Sequence, residues 1–211
     1  MSVDERLFSW VNGLGGHVDF LDRIVSGFAN DYFMIIIMCL VLVGMWFWAR
    51  RPEERERNQI AVMKAMASLG IASGLLSWVT NLIFVEGGKY EGTWLNVIFT
   101  RVRPFEQLGS SVVHHFYFPH DPSFPSNLAA VVFAVALAVW FTNRKIGTGL
   151  ILMATLACLA RVYVGIHWPS DILGGIGFSL VGVGITYFLM WVLAPIKRLL
   201  QWLLRELYVA S

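Results

Sequence analysis

Residues 147–193 read GTGLILMATLACLARVYVGI, then HWPSD, then ILGGIGFSLVGVGITYFLMWVL. Two long apolar runs, 147–166 and 172–193, flank a short polar link. A membrane-spanning helix needs about 20 consecutive, mostly apolar residues, so the stretch reads as a helical hairpin that crosses a bilayer twice. The composition of the whole chain agrees. Of 211 residues, 57% are hydrophobic and 14% are Asp, Glu, Lys or Arg, whereas soluble domains carry about 25% charged residues. That excludes a disordered chain, a coiled coil and a typical soluble two-domain enzyme. The formal charge is only +2 and the cations are scattered, which argues against a nucleic-acid partner.

Moving outward from the hairpin, further candidate spans lie at 32–49, 61–85 and 127–141, the last one short. The segment 6–28 is interrupted by Gly13, Gly15, Gly16 and several charges. It reads as an interfacial helix or a broken hairpin, with a sixth span the weaker alternative. The tail, 196–208, mixes Leu and Trp with Lys197, Arg198 and Arg205; an amphipathic surface helix and a stop-transfer flank fit it equally. Cys39 and Cys158 sit inside apolar stretches and read as small buried hydrophobes, with no disulfide framework. No cleavable signal peptide is expected, because the first residues lack a basic start followed by an unbroken apolar run. Gly174, Gly175, Gly177, Gly182 and Gly184 recur in the last span, where small residues let helices approach closely.

The expected fold is an all-α integral-membrane bundle of about five to six transmembrane helices. It carries an N-terminal interfacial helix and a long outer loop, 86–126, holding part of the site. No repeat or linker divides it, so residues 1–211 read as a single domain. Arg50, Arg51, Arg55, Arg57 and Lys64 flank the first connection, Arg144 and Lys145 a later one, and Lys197, Arg198 and Arg205 follow the last span. With five spans these regions share one side, which the distribution of basic residues makes cytoplasmic. The outer loop and the link around His167 then face the other side.

The polar residues that stand out gather on that second side. Arg161 lies within a span, where an arginine is costly and is either functional, paired or snorkelling. His167 and Asp171 are four residues apart, close enough for a carboxylate to orient an imidazole and leave its other nitrogen a better nucleophile. Capping of the last helix by Ser170 or Asp171 is the alternative. Pro125, Ser126 and Asn127 start the short span, where free backbone N–H groups form an anion site. Arg101 and Arg103 beside Pro104 offer planar forks suited to phosphate oxygens, or a surface patch for lipid headgroups.

Taken together, Arg103-Pro104, then Pro125-Ser126-Asn127-Leu128, then Ala160-Arg161, five residues, His167, three residues and Asp171 resemble the type 2 phosphatidate phosphatase superfamily. The resemblance covers about residues 60–190 and is most specific over 161–175. The order Asn96 to Phe105 looks most like the undecaprenyl-diphosphate phosphatases of the bacitracin-resistance type. The resemblance implies a membrane lipid phosphatase of the cell (inner) membrane, with its site on the non-cytoplasmic face and a polyprenyl diphosphate as substrate. His167 would attack phosphorus and become phosphohistidine, and Asp171 would orient it. Arg103, Arg161 and the Ser126 region would hold the equatorial oxygens, joined by Arg101 and Asn127. No cofactor and no metal is implied.

Three residues depart from that pattern. Asn96 stands where many relatives have lysine, a loss Arg101 could partly offset. Ala160 replaces a serine. Leu128 occupies the position of the histidine that protonates the leaving oxygen, and leucine cannot transfer a proton. General acid catalysis contributes about 10²–10⁴-fold. A lipid phosphate leaves as a stable anion and a lipid alcohol does not, so diphosphatase activity should suffer less than monoester hydrolysis. His114, His115 and His120 are candidate replacement acids, while Glu106 and Asp121 read as solvated loop charges. A phosphatase for phosphatidate or phosphatidylglycerol phosphate, and a silent lipid-diphosphate binder, are the alternatives. A transporter is the weakest reading, because no two matching halves with interrupted helices are present.

Overall fold

The computed structural model describes residues 1–49, 51–84, 89–113 and 118–209, with side chains described through Ala194. Helices α1 (Val3–Asn12) and α2 (Asp19–Ala29) form the broken N-terminal segment, split at the glycine cluster. Ser2 and Glu5 close a capping box at the start of α1, satisfying N–H groups that the first turn cannot pair internally. Helix α3 (Asp31–Phe47) is capped by Asn30 and meets α2 at a 64° bend. The two together are long and apolar enough for one broken span.

Helix α4 (Pro52–Phe84) begins well before its apolar run. At about 1.5 Å per residue it is longer than the hydrocarbon core is thick. Its charged first turns follow Pro52, a residue suited to a helix start, and hydropathy gives no signal for a charged extension. Short helices α5 (Trp94–Phe99) and α6 (Pro104–Leu108) and a 3₁₀ turn, Gly109–Ser111, build the outer loop. Helices α7 (Asn127–Trp140) and α8 (Arg144–Tyr163) carry side-chain caps from Ser126 and Asn143. Helix α9 (Pro169–Val209) continues the last span without a break through the tail. The tail, which a surface helix and a stop-transfer flank fitted equally, is thus part of α9, and its side chains lie outside the described residues. No strand occurs among the described residues.

Helix α7 is the axis of the bundle, enclosed by α4, α8 and α9. Its Ala and Val side chains are almost all buried, and they allow three neighbours to approach at once. Glycine supplies the closest approaches from α9. A Cβ on Gly175 would lie 2.5 Å from the Ser126 carbonyl oxygen, and one on Gly182 would lie 2.7 Å from Ala72 of α4. Gly177 and Gly184 have open space around them, so the expectation that all five glycines serve packing is corrected for these two. They face away from the contact stripe, which the spacing of glycines alone does not show.

The starts of α3, α7 and α9 and the end of α8 gather at one end of the bundle, where residues 101–103 and 121–126 join them. Arg51, Arg55 and Arg57 precede or open α4, and Arg144 and Lys145 open α8, at the opposite end.

Candidate active site

The α8–α9 link turns back on itself. Gly165 takes φ +82°, and a Cβ there would lie 2.6 Å from Val112, so only glycine fits. The turn sets His167 over the end of α8, with the Ile166 N–H donating to the Arg161 carbonyl at 3.0 Å. Trp168 is fully buried. Its indole N–H donates to the Val102 carbonyl at 3.0 Å, and its ring meets Phe8 of α1. One side chain thereby ties the link to the Arg101–Arg103 loop and to the N-terminus.

Asp171 both caps and orients. Its Oδ2 accepts the Trp168 N–H at 2.8 Å and the Ser123 hydroxyl, and lies 3.5 Å from His167 Nδ1. The nearer acceptor for Nδ1–H is the Ser123 carbonyl, at 3.0 Å. The other ring nitrogen, Nε2, lies 3.5 Å from Arg103 Nη1 and 3.4 Å from Arg161 Nη2. Guanidinium groups can only donate, so Nε2 accepts and the proton sits on Nδ1. Burial, reinforced by both arginines and opposed by Asp171, pushes the His167 pKa down to about 4. The imidazole is therefore neutral at physiological pH, with a bare nitrogen between two cations.

Each arginine carries a carboxylate on its other side. Arg103 is buried, donates to the Ile166 and Asp121 carbonyls, and pairs with the Asp121 carboxylate at 2.9 Å. Arg161, also buried, donates to the Ala29 carbonyl and pairs with Asp31. Its Nε–H is buried and has no hydrogen-bond partner. Arg103, Arg161 and His167 line a cavity of about 310 Å³, completed by Pro125 and Asn127 from the α7 tip and by Asp31, Tyr32 and Asp121. A second cavity, of about 250 Å³, runs beside it along the outer end of α4 and shares Asp121, Pro125 and Asn127. Among the described residues no three His, Cys, Asp or Glu side chains cluster closely enough to hold a metal ion.

Of the residues singled out in the sequence, Arg103, Arg161, His167 and Asn127 share the cavity, and Asp171 stands directly behind His167. Others fall elsewhere. Arg101 is held by Asp4 and Ser170, each at 2.6 Å, touches Asp171 and lies over the Trp168 ring. It buttresses the link and does not line the cavity, so it does not make up for Asn96. The Asn96 amide itself donates to the Ile83 carbonyl. Ser126 is buried, its hydroxyl accepting the Ala129 N–H and its own N–H donating to the Asp171 carbonyl. It positions the α7 tip, whose Pro125 and Asn127 face the cavity. Leu128 is only 4% exposed, within the apolar core. His120 and Glu106 are exposed and outside the cavity lining, and His114 and His115 lie outside the described residues. Sequence reasoning missed Asp31 and Tyr32; Asp121, read as a solvated loop charge, is 58% exposed and also pairs with Arg103 at the cavity.

The PAP2 superfamily model matches residues 33–196. Undecaprenyl-diphosphatase BcrC of Bacillus subtilis is 28% identical over 88% of this chain and 83% of its own. The putative undecaprenyl-diphosphatase YbjG of Escherichia coli is 29% identical over 86% of this chain and 79% of its own. The fold is similar to that of LpxE from Aquifex aeolicus, with TM-score 0.61 and 21% identity over 89% of this chain and 96% of that one. It is also similar to a transmembrane PAP2-type phosphatidylglycerolphosphate phosphatase from Bacillus subtilis, with TM-score 0.51 and 18% identity over 88% and 83% of the two chains.

Proposed function

The chain belongs to the PAP2 superfamily, as a membrane lipid phosphatase, and from that premise we propose that it removes the terminal phosphate of a polyprenyl diphosphate such as undecaprenyl diphosphate. The observation that carries this reading is the bare Nε2 of His167 flanked by Arg103 and Arg161 on one open cavity. A phosphate between the two guanidiniums takes over the N–H groups now directed at Nε2 and sets phosphorus before the nitrogen lone pair. The Nε2–P bond forms as the bond from phosphorus to the leaving lipid phosphate breaks. The Nδ1 proton stays with the Ser123 carbonyl, and Asp171 offsets the positive charge growing on the ring. Water then attacks phosphorus, the N–P bond breaks and inorganic phosphate leaves. The arginines act mainly by charge and position, which is most of what phosphoryl transfer asks of a protein. The names of the relatives BcrC and YbjG support the diphosphate substrate. The cations at the opposite end of the bundle support a site facing away from the cytoplasm.

Leu128 weighs on the rate. Buried in the core, it leaves the α7 tip without a titratable group. Phosphate release should be measured from undecaprenyl diphosphate, undecaprenyl monophosphate, phosphatidate and phosphatidylglycerol phosphate at equal phosphate content. The diphosphate should be turned over fastest. His167→Ala should lower that rate on the order of 10³-fold or more, and Leu128→His should raise it by up to about 10²–10⁴-fold. An undiminished rate in His167→Ala, or a preference for phosphatidate, overturns the reading. The burial of Leu128 also favours a second reading, a lipid-diphosphate binder without turnover. Single-turnover trapping separates the two, since only an enzyme carries labelled phosphate onto His167.

A further inference from the structure

Resting on the phosphatase reading above, we propose that Asp121 supplies the leaving-group proton that position 128 cannot. Arg103 fixes the geometry. Its Nη1 faces His167 Nε2 at 3.5 Å, and its Nη2 holds the Asp121 carboxylate at 2.9 Å. A phosphate bound to that guanidinium therefore has the nucleophile toward one edge of the fork and a carboxylate toward the other. In-line displacement puts the leaving oxygen on the side of phosphorus away from Nε2.

The two cavities say which carboxylate borders that side. Asp121, Pro125 and Asn127 line both of them. The second cavity opens along Ser77, Thr80 and Phe84 of α4, a half-polar channel suited to a departing lipid phosphate. Asp121 thus shares its stretch of wall with the α7 tip, which also carries position 128. Asp31 holds Arg161 in the same manner but borders the first cavity alone.

The proton comes with the substrate. The charged and titratable groups facing Asp121 across the cavity are Arg103, Arg161, Asp31, Tyr32 and the neutral His167. An arriving phosphate takes N–H groups of Arg103 from the carboxylate and places further negative charge beside it. A terminal phosphate that arrives carrying one proton hands it to that carboxylate. As the Nε2–P bond forms and the P–O bond breaks, the Asp121 proton passes to the leaving oxygen. In the second step the carboxylate takes a proton from the attacking water, and the N–P bond breaks. The departing inorganic phosphate carries that proton away, the carboxylate returns to Arg103, and atoms and charge balance over the cycle.

The test compares the native chain, Asp121→Asn, Leu128→His and the double variant on phosphate compounds whose leaving groups range from nitrophenolate to an alkyl alcohol. The loss in kcat caused by Asp121→Asn should grow with leaving-group basicity, from a few-fold for nitrophenolate to about 10²-fold or more for an alkyl leaving group. A residue that only positions Arg103 would produce one loss across the series. Leu128→His should be worth at least about tenfold more in the Asp121→Asn chain than in the native chain, because the histidine then supplies a missing proton. Equal losses across leaving groups, in both backgrounds, overturn the role of Asp121. A native chain that is inert until Leu128→His also overturns it, while leaving the phosphatase reading intact. A chain inert with and without Leu128→His, and unlabelled at His167, overturns the phosphatase reading itself.

Discussion

The proposed attack on phosphorus requires Nε2 of His167 to carry no proton, and its surroundings see to that. Burial beside Arg103 and Arg161 lowers the pKa from 6.5 to about 4, so the neutral ring persists well into mild acid. The same shift bears on stability. The unfolded chain binds the proton first, so this histidine's contribution is intact above about 6.5 and is lost as the pH falls through about 4. ¹⁵N-histidine spectra of the protein in micelles should show one imidazole still neutral, with a bare Nε2 and a protonated Nδ1, at about pH 5. Its signal should be absent from His167→Ala. A protonation midpoint for that signal at or above the ordinary histidine value would contradict the arrangement of donors around the ring.

At the scale of elements, the tip of α7 depends on how closely α9 approaches it. A Cβ at Gly175 would meet the Ser126 carbonyl oxygen at 2.5 Å, Ala129 Cβ at 2.7 Å and the Ala130 nitrogen at 3.0 Å. Two of these are backbone atoms and cannot swing aside. Gly175→Ala should therefore cost about 1–3 kcal/mol as overpacking. By shifting Pro125 and Asn127 at the cavity it should also lower kcat on the order of 10²-fold. Gly177→Ala, with nothing within 4 Å, should retain activity and melt no lower than the native chain in the same detergent. Equal behaviour of the two variants would separate the glycine contact from the site. The apolar helices were legible because hydropathy is a local signal, and 161–171 was legible because its spacing is local too. The facing of Ser126, Asn127 and Leu128 was not. Successive residues of a helix point about 100° apart, and only the packing of α9 on α7 sets which one meets the cavity. The carboxylates were hidden for a different reason. Asp4 reaches Arg101 across 97 residues, and Asp31 reaches Arg161 across 130, and no periodicity links such partners.

For the whole molecule, the decisive quantity is which side of the bilayer the cavity opens on. The bundle puts Arg103, Asp121, Arg161 and His167 at one end, and Arg51, Arg55, Arg57, Arg144 and Lys145 at the other. Basic residues in short loops are retained on the cytoplasmic side, so the cavity end should be the exterior one, where a lipid diphosphate would have its headgroup in water. Two single cysteines read this directly: Ser110→Cys in the outer loop and Thr142→Cys in the α7–α8 connection. The native thiols give little background: Cys158 is buried as expected, and Cys39, exposed and not buried as expected, lies midway along the apolar helix α3, away from water. A membrane-impermeant maleimide added to intact spheroplasts should label Ser110→Cys, and should label Thr142→Cys only after lysis. The reverse pattern would put the phosphate cavity in the cytoplasm. The chain would then act on diphosphates of the inner leaflet, a lipid pool distinct from the one its charge distribution implies.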